Sequence, residues 1–458
     1  MNTPSTSDAT LLRAYSRSEW RILPILFMLW LLAWVDRANI AFAKLQMLSD
    51  LHFGETVYGF GAGLFFLGYV VFGVPATMLQ QKIGAKRMIS AIVIGWSLTS
   101  LAMMSVTSRP LFYTLRFLLG MFEAGFYPGV ILYMNTWFPR ARKTRNFSIF
   151  HSAAILSPLV IGMTGGAIMN HLNGVWSLAG WRWMFLLQAA PTLLIGCIAL
   201  VVLPNGPASA SWLSEDERMR VLADVARDAE AAREAEAQAG AGDTGGPLLS
   251  NPVIWALIAA YFCIIAANSA LAFFIPTILR EVGFGSYGAI GNAVALICIF
   301  GAAGNIAYCT FASRFPAARY FCAFASLIGA VSLCWLVFIW HSDKNATFLA
   351  LVLATAGTGA GISMFWQIPV RYLAPASTTV GIAFISSAAN LAGFLTPWLI
   401  GYVREASHTY SSGFLATAGV QATAALALLV LLPLAARRKA ARAASPAPGA
   451  ERGAVASK

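Results

Sequence analysis

Charged side chains are scarce in this chain. Asp, Glu, Lys and Arg supply 11% of its 458 residues, and 58% are apolar. Soluble domains carry about 25% charge, so the composition excludes an ordinary soluble domain and places the chain in a membrane. Cysteines are few as well. The six (Cys197, Cys263, Cys298, Cys309, Cys322, Cys334) all fall in apolar runs, eleven or more residues apart. That spacing suits neither a disulfide framework nor a metal site, and leaves them as small packing residues. The sequence has no Gly-Lys-Ser/Thr phosphate loop, so ATP-driven pumping is unsupported. It has no paired-carboxylate or His/Cys constellation outside the membrane, which counts against an enzyme; no metal and no cofactor are expected. Met1 to Glu19 is polar and resembles no cleavable signal.

What is present is long apolar runs. Stretches able to cross about 30 Å of hydrocarbon lie near 21–43, 57–80, 88–106, 110–133, 147–170 and 182–203. A second set lies near 251–279, 288–312, 317–340, 345–369, 377–403 and 411–436. Twelve transmembrane helices are expected, making an all-α membrane protein in two six-helix bundles. Its parts are a terminal segment 1–20, a first bundle 21–203, a linker 204–250, a second bundle 251–436 and a basic, disordered tail 437–458.

The net charge of +12 could suggest nucleic acid, but its placement argues for topology. With both termini on the cytoplasmic side, 19 of the 31 Lys and Arg residues fall in cytoplasmic loops and ends. Six lie outside: Lys44, Arg109, Arg182, Arg280, Lys344 and Arg404; four more lie in the linker and two in the membrane. This is a strong positive-inside bias, and a cell inner membrane with cytoplasmic termini is expected. Nucleic acid is not implied.

The linker carries nine of the nineteen acids and reads as an Ala/Glu/Arg-rich helix followed by a Gly run from Gly240 to Gly246. A solvated tether is expected there, with Trp212, Leu213, Met219 and Leu222 forming an apolar stripe. The two halves show a faint repeat. Trp137-Phe138-Pro139 leads into the Ser157-Pro158 span, and Leu373-Ala374-Pro375 leads into the Thr396-Pro397 span.

Four ionisable residues lie within the spans: Asp36 and Arg37 in the first, Arg116 and Glu123 in the fourth. Each costs roughly 2.5–3.5 kcal/mol at a bilayer centre, so four unpaired charges would cost on the order of 10 kcal/mol. Arg116 and Glu123 are seven residues apart and return to one helix face within about 20°, which points both into one cavity at different depths. In one reading, Asp36–Arg116 and Arg37–Glu123 are permanent pairs that fix packing. In the other, protonating Asp36 and Glu123 frees two arginines for an organic carboxylate, and proton and anion bind with positive, reciprocal coupling.

Asp36-Arg37-Ala38-Asn39-Ile40 resembles the first-span signature of the anion:cation symporter family of the major facilitator superfamily. Arg116-Phe-Leu-Leu-Gly120, Glu123-Ala-Gly-Phe-Tyr-Pro128-Gly129 and Trp137-Phe-Pro139 are similar to its fourth-span signature. Gly180-Trp181-Arg182-Trp183, Trp212-Leu-Ser-Glu215 and Asn390-Leu-Ala-Gly393-Phe also match, over about residues 16–436. The resemblance implies alternating access and uptake of small organic anions with protons. It implies proton-coupling roles for Asp36 and Glu123, and substrate-binding or acid-pairing roles for Arg37 and Arg116. Tyr69 and Asn390 match cavity-facing polar positions, and Asn268, Trp366 and Gln367 are further candidates by their polarity at mid-membrane depth.

Two residues depart from the pattern. Trp34 stands where Tyr is frequent, which enlarges an apolar wall and favours aromatic or less hydroxylated acids. Gln81 stands where the superfamily loop motif has Asp. The expected function is a monomeric proton symporter that imports a small organic carboxylate and has lipid, protons and the anion as its partners. Alternatives are an anion exchanger or facilitator without proton coupling, a membrane-embedded enzyme, and a non-transporting membrane sensor.

Overall fold

Continuous apolar sequence with few backbone breakers gives long helices, because a bilayer offers no partner for an unpaired peptide group. A computed structural model describes residues 6–240, 250–340, 342–373 and 375–444. The first bundle comprises α1 (Thr6–Leu51), α2 (Glu55–Ile83), α3 (Ala85–Ala102), α4 (Arg109–Glu123), α5 (Phe126–Trp137), α6 (Arg140–His171) and α7 (Gly180–Val202). The linker forms α8 (Glu215–Gly240). The second bundle comprises α9 (Pro252–Glu281), α10 (Tyr287–Ala312), α11 (Ala318–Ile339), α12 (Lys344–Phe365), α13 (Pro369–Tyr372), α14 (Pro375–Ser407), α15 (Ser411–Leu426) and α16 (Leu432–Ala444). A π-helical turn, Ala427–Leu431, joins the last two. Twelve spans are long and apolar enough to cross a membrane, and no strand occurs among the described residues. The fold is the expected all-helical one.

Several boundaries differ from the sequence reading. The first helix starts at Thr6 and continues to Leu51, so the terminal segment is not separate from the span. Its extension carries Lys44, read above as a loop residue, inside the helix, where it is 4% exposed. The fourth span is two helices, α4 and α5, interrupted at Ala124–Gly125 immediately after Glu123. The tenth is interrupted likewise between α12 and α13, at Trp366–Ile368. Helix α16 runs through Arg437 and Arg438 to Ala444, past the expected start of the tail. The rest of that tail, 445–458, and most of the linker glycine run lie outside the described residues; so does the side chain of Gln81.

The linker helix is docked on the first bundle, which corrects the solvated tether. Tyr15 donates to Asp224 (2.8 Å) and Arg17 pairs with Glu217. The backbone N–H of Arg140 donates to Asp228 (2.9 Å), and Trp212 stacks on Trp137 with centroids 5.7 Å apart. The apolar stripe therefore splits: Leu213 is buried, whereas Met219 and Leu222 are exposed.

An even number of spans places both chain ends on one side, here termed the terminal end. The two bundles meet through α2 on α14, α6 on α10, and α1 on α9. The close approaches lie in the half away from the terminal end. A Cβ added to Gly291 in α10 would stand 1.9 Å from the Gly162 carbonyl in α6, and one on Gly401 2.3 Å from the Glu55 carbonyl. Only glycine lets these backbones touch. Five hydrogen-bonding contacts between the bundles lie in the same half. Tyr58 Oη donates to the Phe273 carbonyl (3.1 Å), Thr56 binds the Glu405 carboxylate, and Tyr410 binds both Lys44 (2.9 Å) and Glu55 (2.5 Å). Lys44 also pairs with Glu55 at 2.8 Å and lies over the rings of Tyr58, Phe274 and Tyr410. The molecule is thus sealed at the far end.

Candidate functional site

Helix α1 runs through the first bundle with Asp36 and Arg37 in its second half, and their side chains diverge by about 100°. Asp36 is 1% exposed and points away from the second bundle, toward α3. Its carboxylate accepts from Trp96 Nε1 (3.0 Å), Ser100 Oγ (3.0 Å) and, more weakly, Asn39 Nδ2 (3.4 Å). All three donors are neutral.

Arg37 pairs with Glu123 of α4, which is 1% exposed, whereas the arginine side chain retains 19% exposure. Around this pair stands an aromatic box. The guanidinium carbon lies 4.9 Å from the Trp34 ring, 5.1 Å from Tyr69, 5.4 Å from Phe65 and 5.8 Å from Trp30. Ring faces attract a cation and tolerate its weak hydration, so the box holds Arg37 in place without neutralising it. The break in α4 follows Glu123 directly, so this carboxylate stands at a helix end. Its second oxygen, Oε2, makes no hydrogen bond.

Arg116 does not join this group. It is 1% exposed and donates to the backbone carbonyls of Gly61 (3.3 Å) and Ala62 (3.1 Å) of α2. Gly120 permits this approach: a Cβ there would stand 1.9 Å from the Phe65 carbonyl. The seven-residue spacing therefore does not put Arg116 and Glu123 in one cavity. One turns to α2 and the other to α1. Among the described residues Asp36 and Arg116 form no ion pair, so only one of the two expected pairs exists. The Phe65 ring is near both guanidiniums, 5.3 Å from that of Arg116 and 5.4 Å from that of Arg37.

Beside the aromatic box lies a cavity of about 290 Å³ between the bundles, walled by α1, α6, α9, α10 and α12. Trp34 belongs to both: it lines the cavity and lies under Arg37. Asn268 lines the opposite wall with Asn305 and Thr355, two residues the sequence reading did not single out. Other expected residues lie elsewhere. Asn390 is half-buried on α14 and bonds the Ser386 carbonyl (2.9 Å), outside this cavity. Trp366 packs on Tyr261, and Gln367 is exposed in the turn between α12 and α13. That turn lies toward the terminal end of its span, not at the mid-membrane depth expected of the two residues.

Residues 25–397 match the family model of the Major Facilitator Superfamily. The chain is 35% identical to the putative metabolite transport protein NicT of Pseudomonas putida over 405 residues, 88% of this chain and 91% of the relative. It is also 35% identical to a putative tartrate transporter of Agrobacterium vitis over 419 residues, 92% of this chain and 94% of the relative. Among solved structures, the inward open conformation of the xylose transporter XylE from E. coli superposes with a TM-score of 0.73 at 14% identity, covering 91% of this chain and 96% of that one. A bacterial homologue of the human lysosomal transporter Spinster, inward-facing and occupied, gives 0.67 at 18% identity, covering 93% and 98%. The relatives agree with the anion:cation symporter-type family that the motifs of α1 and α4 resemble. The chain belongs to the Major Facilitator Superfamily and is a membrane transporter, not an enzyme.

Proposed function

We propose that the protein imports a small organic carboxylate together with one or more protons by alternating access. The observation that carries this reading is the Arg37–Glu123 pair, set in an aromatic box that shares Trp34 with the cavity between the bundles. With Glu123 ionised, its carboxylate occupies the guanidinium. When Glu123 takes a proton, Arg37 loses its counter-ion and presents a planar fork that a substrate carboxylate binds in bidentate fashion. Proton and anion then favour each other's binding by the same factor. Asp36 is the second proton carrier in this scheme, its charged form held by Trp96 and Ser100.

The positive-inside bias supports a cytoplasmic terminal end in a cell inner membrane, and on that reading the sealed end faces outward and the described state inward. Inward transfer follows from the driving force, since each proton gains about 2.3 kcal/mol per 100 mV on entering. The names borne by the relatives, a metabolite transport protein and tartrate transporters, support an organic-acid substrate.

The test is uptake of labelled aromatic and hydroxy acids into proteoliposomes under an inward-directed proton gradient. At least one acid is expected to accumulate above its external concentration and to equilibrate only when a protonophore is added. Equilibration at the same level with and without the gradient would instead favour exchange or facilitated diffusion.

A further inference from the structure

The two bundles divide the ionic work unequally. Asp36, Arg37, Lys44, Arg116 and Glu123 all belong to the first bundle. From α9 to α15 every Asp, Glu, Lys and Arg lies at or beyond a helix end, as Arg280, Lys344 and Arg404 illustrate. No residue lining the cavity between the bundles is charged. The wall facing Trp34 is nevertheless polar on three helices: Asn268 on α9, Asn305 on α10, and Thr355 and Thr358 on α12, the last already accepting from Gln421 (2.8 Å). Two of them have spare capacity. Asn268 makes no hydrogen bond with another described residue, and Thr355 Oγ1 has no partner. Asn305 donates a long bond to Ser363 Oγ (3.4 Å), and its Oδ1 accepts from Cys309 Sγ (3.2 Å). Across the cavity, the Trp34 indole N–H is also without a partner.

From this arrangement, and resting on the carboxylate reading above, we infer that the substrate is a monocarboxylate whose far end carries a neutral hydrogen-bonding group, such as a hydroxyl, carbonyl or ring nitrogen. Arg37, which lies over the Trp34 ring and does not itself line the cavity, takes the single carboxylate beside it. Asn268, Asn305 and Thr355 take the neutral group on the wall facing Trp34. A second carboxylate would meet amide and hydroxyl dipoles with no cation, and would lose its hydration without a compensating charge. A site that hydrogen-bonds a substrate also rejects the analogue lacking that group, because its own polar atoms are then left unpaired. The wall therefore selects twice, against dianions and against unsubstituted acids. Lys44 does not supply the missing cation, since Glu55 and Tyr410 already engage it.

Matched acids test this in proteoliposomes at pH 7: 4-hydroxybenzoate against terephthalate and benzoate, and glycerate against tartrate. In at least one series the hydroxylated monoacid is expected to enter at least tenfold faster than its dianionic counterpart. Asn268→Ala with Thr355→Val should reduce the preference for 4-hydroxybenzoate over benzoate to within about twofold. Asn268→Lys should raise the terephthalate to 4-hydroxybenzoate ratio at least tenfold. Terephthalate or tartrate entering as fast as the monoacids would overturn the inference while leaving carboxylate transport intact. An unchanged ratio in an Asn268→Lys protein that remains monodisperse and active would also overturn it. No uptake of any acid contradicts the carboxylate reading, and the inference falls with it.

Discussion

Proteoliposomes holding the Glu123→Gln protein are expected to exchange labelled substrate for unlabelled but not to concentrate it. Glutamine keeps the shape of the side chain and still lies beside Arg37, yet it cannot carry a proton through the cycle. A gradient of two pH units supports about 100-fold accumulation for each coupled proton, since tenfold corresponds to about 1.4 kcal/mol. The wild-type protein should approach that ratio under such a gradient, and the variant should stay near unity. Exchange separates loss of coupling from loss of binding: it needs both half-movements of the bundles with substrate bound, but no net proton transfer. Accumulation by Glu123→Gln equal to the wild type would remove Glu123 from the coupling path. Asp36 would then be left as the carrier, held by neutral donors and away from the cavity.

Arg37→Lys should lower uptake by about 100-fold, mostly through a raised KM. Lysine retains the charge opposite Glu123, so the burial of that carboxylate remains compensated, but an ammonium cannot form the planar two-bond contact with a carboxylate or stack flat on Trp34. Arg37→Ala is a poorer experiment. It leaves Glu123 buried and alone, which costs about 3–5 kcal/mol and confounds folding with function. The double variant Arg37→Met/Glu123→Met resolves the question of a purely structural pair. Replacing both partners of a buried pair by apolar groups is frequently neutral for stability. The double variant should therefore melt within a few degrees of the wild type in detergent while transporting nothing. Retained uptake would mean that the pair only sets the packing of α1 against α4.

Much of the architecture was legible because a bilayer imposes it. Runs of about twenty apolar residues must become helices, and the acidic, Gly-containing stretch between residues 204 and 250 divides six spans from six. Asp36, Arg37, Arg116 and Glu123 stood out because each violates the apolar rule. Their partners did not follow from the same argument. Helical spacing put Arg116 and Glu123 on one face, but Glu123 ends its helix at Ala124–Gly125, and close packing at Gly120 turns Arg116 to the carbonyls of α2. Two carboxylates and two arginines summed to zero, which suggested two pairs. Neutral hydrogen bonds from Trp96 and Ser100 satisfy Asp36 just as well, and an indole or a hydroxyl in a helix carries no sequence signal of that role.

Lys44 was misplaced for a related reason. Hydropathy falls at a lysine, so the apolar run ends at residue 43. The helix continues instead, because Glu55 and the rings of Tyr58, Phe274 and Tyr410, drawn from both bundles, surround the ammonium group. Asn305 and Thr355 were missed because one polar residue in a long apolar helix is ordinary. Only the convergence of α9, α10 and α12 on one cavity makes the two of them a wall with Asn268. The charge of the linker helix suggests solvation, yet its acids make contacts with Tyr15, Arg17, Arg140 and Lys143 of the first bundle.

The central claim is that carboxylate and proton travel inward together, and proton movement itself tests it most directly. Purified protein in tight liposomes, with a pH-sensitive dye outside and no imposed gradient, should alkalinise the medium when a transported acid is added. The signal should vanish in Glu123→Gln and with an acid that is not taken up. Substrate entry measured in the same vesicles, with no change in external pH, would contradict proton symport and leave an anion exchanger or facilitator in its place.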